Sequence, residues 1–193
     1  GISVEQLKQL PQPPKLVYVT PSHQDPLGIV MSEKRRTELV SWARSVNAII
    51  IEDDNDCEYR HGGRPLLSLQ GHGPNCVIYI NTFWRTLGSL VHIGYMVVPR
   101  RFETVMAFAK SIISRDLPVQ EQYALADFIE QGHLERHIHK TSIIYRKRLH
   151  VLIHAMTVHL KNSVKLARES GGMRVLARFD QKFSIERILE CSH

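Results

Sequence analysis

The sequence lacks the features that mark membrane-spanning, exported and disulfide-stabilised proteins. Its 193 residues include three cysteines, an odd number without metal-ligand spacing, which favours a reducing compartment over a disulfide framework. No apolar run approaches the roughly 20 residues that cross a bilayer. The first residues also lack the basic and apolar regions of a signal peptide. We therefore expect a cytoplasmic protein without membrane contact.

Charge of one sign does not dominate, and no phosphate-cradling G-x-G-x-x-G motif occurs. A net charge of +6 permits contact with nucleic acid, but the lysines and arginines are scattered along the chain, which favours a solvated basic surface. The hydrophobic content of 43% is ordinary for a globular protein with a substantial core. These properties leave the function open and predict a folded domain.

Short apolar runs alternate with amphipathic segments, which predicts an α/β fold. Residues 16–19, 48–51, 77–80 and 94–98 read as strands, and their continuous apolar character predicts helices on both faces of the sheet. Ser32 is expected to cap a helix with an apolar inner face. Because strand, helix and strand follow one another, we expect parallel pairing through right-handed crossovers.

The second half of the sequence reads as mainly helical. Helical spacing of apolar residues predicts helices over 101–113 and 119–132 and one long helix over 133–160. A further strand is expected over 173–179 and a last helix over 184–191. No internal repeat is present.

Polar residues follow two of the predicted strands directly. Five consecutive polar residues occupy positions 52–56, and Thr82 and Arg85 follow the strand at 77–80. In open α/β sheets, ligands bind beyond the carboxyl ends of the strands. The acidic run therefore fits a carboxylate that faces a cationic group of a ligand, and it fits an ordinary cap or solvated turn equally well.

Two other groups of residues have a spacing or charge that could form a binding site. His133 and His137 lie four residues apart on a helix, but Glu135 is out of place for an H-E-x-x-H zinc motif, so a solvated face is the better interpretation. The basic residues 146–148 could contact phosphates. Apolar residues flank them at helical spacing, which favours an amphipathic packed helix.

Three segments in this order resemble a known family. They are VYVTPSHQDPLG (17–28), IEDDNDCEYR (51–60), and TFWRTL (82–87) followed by HIGY (92–95). Together they resemble the aminotransferase-like domain of MocR-type regulators in the GntR family, which has the fold type I architecture of pyridoxal-phosphate aminotransferases. The resemblance implies a partial large domain over 1–132, with a mostly parallel sheet and flanking helices. It implies a linking helix and part of a small α+β domain over 133–193.

The resemblance also assigns roles to the residues of a cofactor site. Asp53 matches the aspartate that pairs with the pyridinium nitrogen, and Thr82 still offers a hydroxyl to the phosphate. Asn55 stands where a tyrosine normally meets the phenolic oxygen. Asp25 stands where a tyrosine, or an asparagine in ordinary aminotransferases, lies beside the ring, and His92 replaces a phosphate-binding arginine.

Arg85 stands at the position of the Schiff-base lysine. A Schiff base requires an unprotonated amine, whereas a guanidinium remains protonated in proteins. Arg85 can grip an anion in a bidentate way, or it can simply pair with an acidic residue of the former site, such as Asp53 or Asp54. No residue is therefore assigned a catalytic role.

The resemblance implies an effector-sensing domain of a transcription regulator, with impaired catalysis. Pyridoxal phosphate would bind non-covalently or not at all, and the effector would be an amino-acid-like or vitamin B6 compound. DNA would be contacted only through a winged-helix domain that this chain does not contain, and a homodimer is expected. The alternatives are a pyridoxal-phosphate-dependent aminotransferase acting on amino acids and a ligand-free dimerisation scaffold.

Overall fold

The computed structural model describes residues 2–24, 26–54, 57–59, 66–113, 118–166 and 173–179. Four strands form one sheet in the order β1 (Leu16–Val19), β2 (Ile49–Asp53), β3 (Val77–Thr82) and β4 (Gly94–Val97). The first three strands are parallel neighbours, and β4 runs antiparallel to β3. The expected α/β class with a mostly parallel sheet is confirmed.

Seven α-helices are described. They are α1 (Val4–Lys8), α2 (Glu33–Ser45), α3 (Leu69–His72), α4 (Trp84–Leu87), α5 (Glu103–Ile113), α6 (Val119–Glu130) and α7 (His133–Leu160). Short 3₁₀ turns lie at Cys57–Tyr59, Gly88–Leu90, Arg100–Phe102 and Lys161–Ser163. Two further strands, β5 (Val164–Leu166) and β6 (Ala177–Phe179), pair antiparallel in a separate sheet.

The core lies between helix α2 and the sheet. The Ser32 Oγ accepts a hydrogen bond from the Arg35 N–H at 3.4 Å, which caps α2 as predicted. Leu39 and Ala43 are fully buried on the inner face of this helix, and each buried apolar side chain of leucine size contributes about 1.5–3 kcal/mol. The buried cluster also includes residues of all three parallel strands: Val17, Val19, Ile50 and Val77.

The expected cover on both faces of the sheet is wrong at its two outer strands. Strand β1 alternates, with Leu16 and Tyr18 exposed and their neighbours buried, and β4 is exposed along its whole length. Among the described residues, β1 and β4 each pair with one neighbouring strand. An edge strand has fewer packing neighbours, so an apolar run alone does not guarantee its burial.

Strands β2 and β3 extend two residues further than the apolar runs predicted. The ladder pairs Asp53 with Ile80 and Thr82 with Gly94, so both polar residues are the last residues of strands rather than parts of loops. This matters because a strand fixes the direction of a side chain more tightly than a loop does.

The second half of the chain is helical as predicted, and β6 falls inside the strand predicted over 173–179. Gly132 joins α6 to α7 with a φ of 69°, a left-handed conformation that glycine adopts without steric cost. The domain boundary after residue 132 remains a prediction, and the helix predicted over 184–191 lies outside the described residues. Within the described ranges, no helix has both the length and the apolar character to cross a membrane.

Candidate functional site: a cavity at the ends of strands β2 and β3

Asp53 and Thr82 line one cavity at the carboxyl ends of two neighbouring strands. Asp53 pairs in register with Ile80, two residues before Thr82, and residues two apart on a strand face the same side of a sheet. The cavity has a volume of about 660 Å³, which is within the range of small-molecule sites. Its described lining is Asp53, Ile80, Asn81, Thr82, Gly94, Tyr95, Met96, Val98, Glu103, Met106, Ala107 and Lys110.

Tyr18 contacts the carboxylate of Asp53 from the neighbouring strand. Its phenolic hydroxyl donates a hydrogen bond to Asp53 Oδ2. Parallel pairing brings the two residues together, because Tyr18 pairs with Ile51, two residues before Asp53 on the same face. Tyr18 is not among the residues that the sequence motifs indicated, and the signal that could have found it is its hydroxyl, the one polar side-chain group in the apolar run of β1.

The hydroxyl of Thr82 is engaged in the turn that follows strand β3. It donates to the Ile93 carbonyl oxygen at 3.4 Å and accepts from the Trp84 N–H at 3.2 Å. The Phe83 N–H also binds the Ile93 carbonyl, at 3.0 Å. The strand end is therefore held rigidly, but its donors are directed at the protein itself.

Arg85 and His92 lie beyond the strand end. Arg85 is on α4, with its guanidinium carbon 4.8 Å from the ring centroid of Trp84, and His92 is exposed just before β4. Neither is among the described residues that line the cavity. Asp25 and Asn55 lie outside the described residues, so the roles that the resemblance gives to these four positions remain predictions.

A buried polar network lies on the opposite face of the same strands. The Tyr79 hydroxyl donates to Asp54 Oδ2 at 3.1 Å, and the Asn81 amide donates to Tyr79 and to Glu58 Oε1 at 3.1 and 3.3 Å. Burial raises the pKa of Glu58, and the nearby Asp54 carboxylate adds to the effect. Burial likewise raises the pKa of Tyr79 and of the Cys57 thiol. The sequence motifs did not indicate this partly buried network.

The long helix α7 contacts both loops that leave the site strands. The His137 ring nitrogen Nε2 lies 2.9 Å from the carbonyl oxygen of Thr86 on α4. Tyr59, which is fully buried in the turn after β2, packs edge-on against Tyr145 with ring centroids 5.0 Å apart. The predicted linking helix is therefore in direct contact with the site region.

The two histidines that are spaced as metal ligands on α7 have different partners. His133 interacts with Gln131 and Arg136 at the start of α7, whereas His137 interacts with Thr86. In the part of the chain that the structure describes, no group of three histidine, cysteine or acidic side chains could hold a metal ion.

Comparison with known proteins gave clear relatives, although no protein-family model matched. The chain is 40% identical over 168 residues to an uncharacterized HTH-type transcriptional regulator, YhdI, from Bacillus subtilis, covering 86% of this chain and 36% of that protein. It is 34% identical over 174 residues to the probable rhizopine catabolism regulatory protein MocR from Rhizobium meliloti, covering 90% of this chain and 35% of that protein. The chain thus spans little more than a third of these regulators.

Solved structures of aminotransferases match the fold. A multiple substrate aminotransferase from Thermococcus profundus superimposes with a TM-score of 0.86 at 26% identity, covering 98% of this chain and 47% of the other. A kynurenine aminotransferase from Pyrococcus horikoshii, in complex with PMP, gives a TM-score of 0.85 at 28% identity, covering 97% and 46%. These matches confirm the fold and the resemblance that the sequence motifs indicated.

Proposed function

Because this chain is an aminotransferase-like domain of fold type I that matches MocR-type transcription regulators over part of their length, we propose that it senses a small effector without catalysing transamination. The effector is a compound of the vitamin B6 class, held non-covalently. One observation carries the proposal. Asp53 and Thr82, at the ends of neighbouring strands, line a cavity of about 660 Å³, and the resemblance of the sequence motifs assigns Arg85 to the position of the family's Schiff-base lysine.

The cavity fits a pyridine ring of this class. Its described lining is mainly apolar, including Ile80, Met96 and Met106, and it contains the carboxylate of Asp53. A ring has a flat apolar body that such walls bury favourably. A carboxylate beside the ring nitrogen keeps a proton on that nitrogen, and the hydrogen bond from Tyr18 holds the carboxylate in place.

The same residues do not supply the covalent step of a transaminase. Pyridoxal phosphate, when bound, supplies an electron sink for reactions at an amino-acid carbon. Loading it on a protein requires a lysine amine that can lose its proton. Arg85 cannot form this covalent bond because its guanidinium stays protonated. A ligand held without a covalent bond to Arg85 can exchange with solvent.

Titration with pyridoxal phosphate tests the proposal. We expect reversible binding, seen as quenching of tryptophan fluorescence, that is lost on dialysis and leaves no covalent adduct after borohydride treatment. Asp53→Asn should weaken binding about 10-fold, because it removes one charged hydrogen bond worth about 1.5 kcal/mol or more. Glu121→Gln, at an exposed position of α6, serves as the matched control. Unchanged binding by Asp53→Asn would refute the assignment of the cavity.

The alternative is an active aminotransferase that uses another amine, and one observation favours it. Lys110 lines the same cavity as Asp53, so an amine is present in the site. A borohydride-stable increase in mass at Lys110, together with amino-group transfer from an amino acid, would establish this alternative in place of the sensor.

We propose that the sensing domain acts as a homodimer within a longer regulator, whose winged-helix domain contacts DNA. Support comes from the apolar residues that strand β4 and helix α5 expose. Met96 is 52% exposed, and Val105, Phe108 and Ile112 are each more than 60% exposed. Val105, Phe108 and Ile112 recur at helical spacing on one side of α5, and an exposed apolar face of this kind marks interaction sites.

Light scattering tests the assembly. We expect a dimer whose dissociation is promoted by Phe108→Lys and is unaffected by Lys140→Gln on the exposed face of α7. A compact monomer at a protein concentration of about 50 µM, well above the micromolar range of many specific complexes, would contradict this. A dimer that binds no vitamin B6 compound would instead support the ligand-free scaffold.

A further inference from the structure

One wall of the cavity is formed by a single face of helix α5. Glu103, Met106, Ala107 and Lys110 all line the cavity, and their spacing of three, four and seven residues places them on one side of an α-helix. Glu103 and Lys110 are seven residues apart, which corresponds to roughly 10 Å along the helix axis. The wall therefore presents a carboxylate and an ammonium group two turns apart, with apolar side chains between them.

Lys110 is the cationic side chain among the described residues of the lining. The two basic residues that the sequence motifs suggested for anion binding, Arg85 and His92, are not among those lining residues. Among the described residues of the lining, an anionic group of a ligand therefore meets its opposite charge on α5.

The hydrogen-bond donors at the end of β3 do not replace Arg85 and His92 as partners for an anionic group. The Thr82 hydroxyl is engaged with Ile93 and Trp84, as described above. The Phe83 N–H binds the Ile93 carbonyl oxygen, and the N–H groups of Thr86 and Leu87 bind the Phe83 carbonyl oxygen. These backbone groups already have partners within the chain, so they offer little to a phosphate.

We infer that Lys110 binds the phosphate group of a phosphorylated pyridine ligand whose ring nitrogen faces Asp53. This inference rests on the proposed function and adds the residue that recognises the phosphate. An ammonium group has three donors and forms charge-assisted hydrogen bonds with phosphate oxygens. The opposite charges in the cavity also favour one orientation of the ligand, because the phosphate is repelled by Asp53 and Glu103.

Two probes that differ only by the phosphate test the inference. Dissociation constants of pyridoxal phosphate and of pyridoxal are measured by fluorescence titration for the wild-type chain and for Lys110→Gln, Lys110→Arg and the control Lys140→Gln. Lys110→Gln should weaken binding of pyridoxal phosphate about 10-fold or more and that of pyridoxal less than about 2-fold. Lys110→Arg keeps the charge and should stay within about 3-fold of wild type for both probes.

Inorganic phosphate provides an independent measurement. It should compete with pyridoxal phosphate for the wild-type chain and lose that ability with Lys110→Gln, while thermal unfolding of the variant stays unchanged. Equal losses for both probes would overturn the inference, because Lys110 would then only shape the wall. Unchanged binding of pyridoxal phosphate by Lys110→Gln would overturn it as well. Wild-type protein that binds neither probe would overturn both this inference and the proposed function.

Discussion

Replacing Arg36 should destabilise the fold more than any exposed substitution on the same helix. Arg36 is 2% exposed and donates to the carbonyl oxygens of Pro21, Met31 and Leu67 at 3.0, 3.1 and 3.1 Å. Its guanidinium also lies 3.7 Å from the fully buried carboxylate of Glu52. One side chain thus connects the loops after β1 and before α3 to the central strand β2.

The expected loss for Arg36→Met is about 4 kcal/mol. Removing one partner of a buried ion pair costs about 3–5 kcal/mol, because the other charge is left buried without compensation. Glu52 keeps two backbone donors, the N–H groups of Leu69 and Gln70 at 2.8 and 2.9 Å, which prevents a still larger loss. For a chain of this size each kcal/mol lowers the melting temperature by about 2–4 °C, so a decrease of roughly 10 °C is expected.

Thermal and urea unfolding measure the effect, with Arg35→Met as the matched control. Arg35 is the preceding residue on α2 and is exposed, so its replacement should change stability by less than about 0.5 kcal/mol. Arg36→Lys keeps the charge but loses the planar guanidinium group, so its stability should lie between those of Arg36→Met and Arg35→Met. Equal stabilities of Arg36→Met and Arg35→Met would refute the reasoning.

The loss of stability caused by Arg36→Met should also become larger as the pH rises. Burial raises the pKa of Glu52 above the ordinary value of 4.5, and Arg36 opposes that rise. A carboxyl whose pKa is raised on folding loses stability as the pH rises from its unfolded value through its folded value. Removing Arg36 raises the pKa of Glu52 in the folded protein further. The difference in unfolding free energy between wild type and Arg36→Met should therefore be smaller at pH 5 than at pH 8. A difference in unfolding free energy that becomes smaller as the pH rises would contradict this prediction.

Three further predictions concern other parts of the fold. Glu58→Gln should stabilise the protein by about 1 kcal/mol at pH 8 and not at pH 4.5, because it removes a carboxylate whose pKa is raised by burial and by Asp54. A gain in melting temperature that is independent of pH would argue against this. Gly73→Ala should cost about 1–3 kcal/mol in urea unfolding, since its Cβ would lie 2.6 Å from Val40 Cγ1; an unchanged urea midpoint would count against this packing. Arg85→Lys alone should not produce transaminase activity in a coupled assay, because Asp25, Asn55 and His92 would still differ from the residues that the resemblance implies around the ring and the phosphate; measurable turnover would refute it.

The sequence by itself determined the fold class, the family and the positions of the four strands of the main sheet. Continuous apolar runs predicted β1, β2, β3 and β4 because enrichment in β-branched residues favours strands locally. The motifs around Asp53 and Thr82 identified the aminotransferase-like family. The polar residues after each run also indicated the correct edge of the sheet, because parallel strands place their carboxyl ends together.

Only the tertiary structure decided which side chains share the cavity. The pairing register extended β2 and β3 by two residues and set Asp53 and Thr82 on one face, which no apolar pattern records. Lys110 and Tyr18 reach the site from distant parts of the chain. Their places depend on how α5 and β1 pack against the sheet, and a contact between residues that are remote in sequence leaves no periodic signal. The exposure of β4 has the same origin, because burial is set by neighbouring elements and not by the composition of the strand.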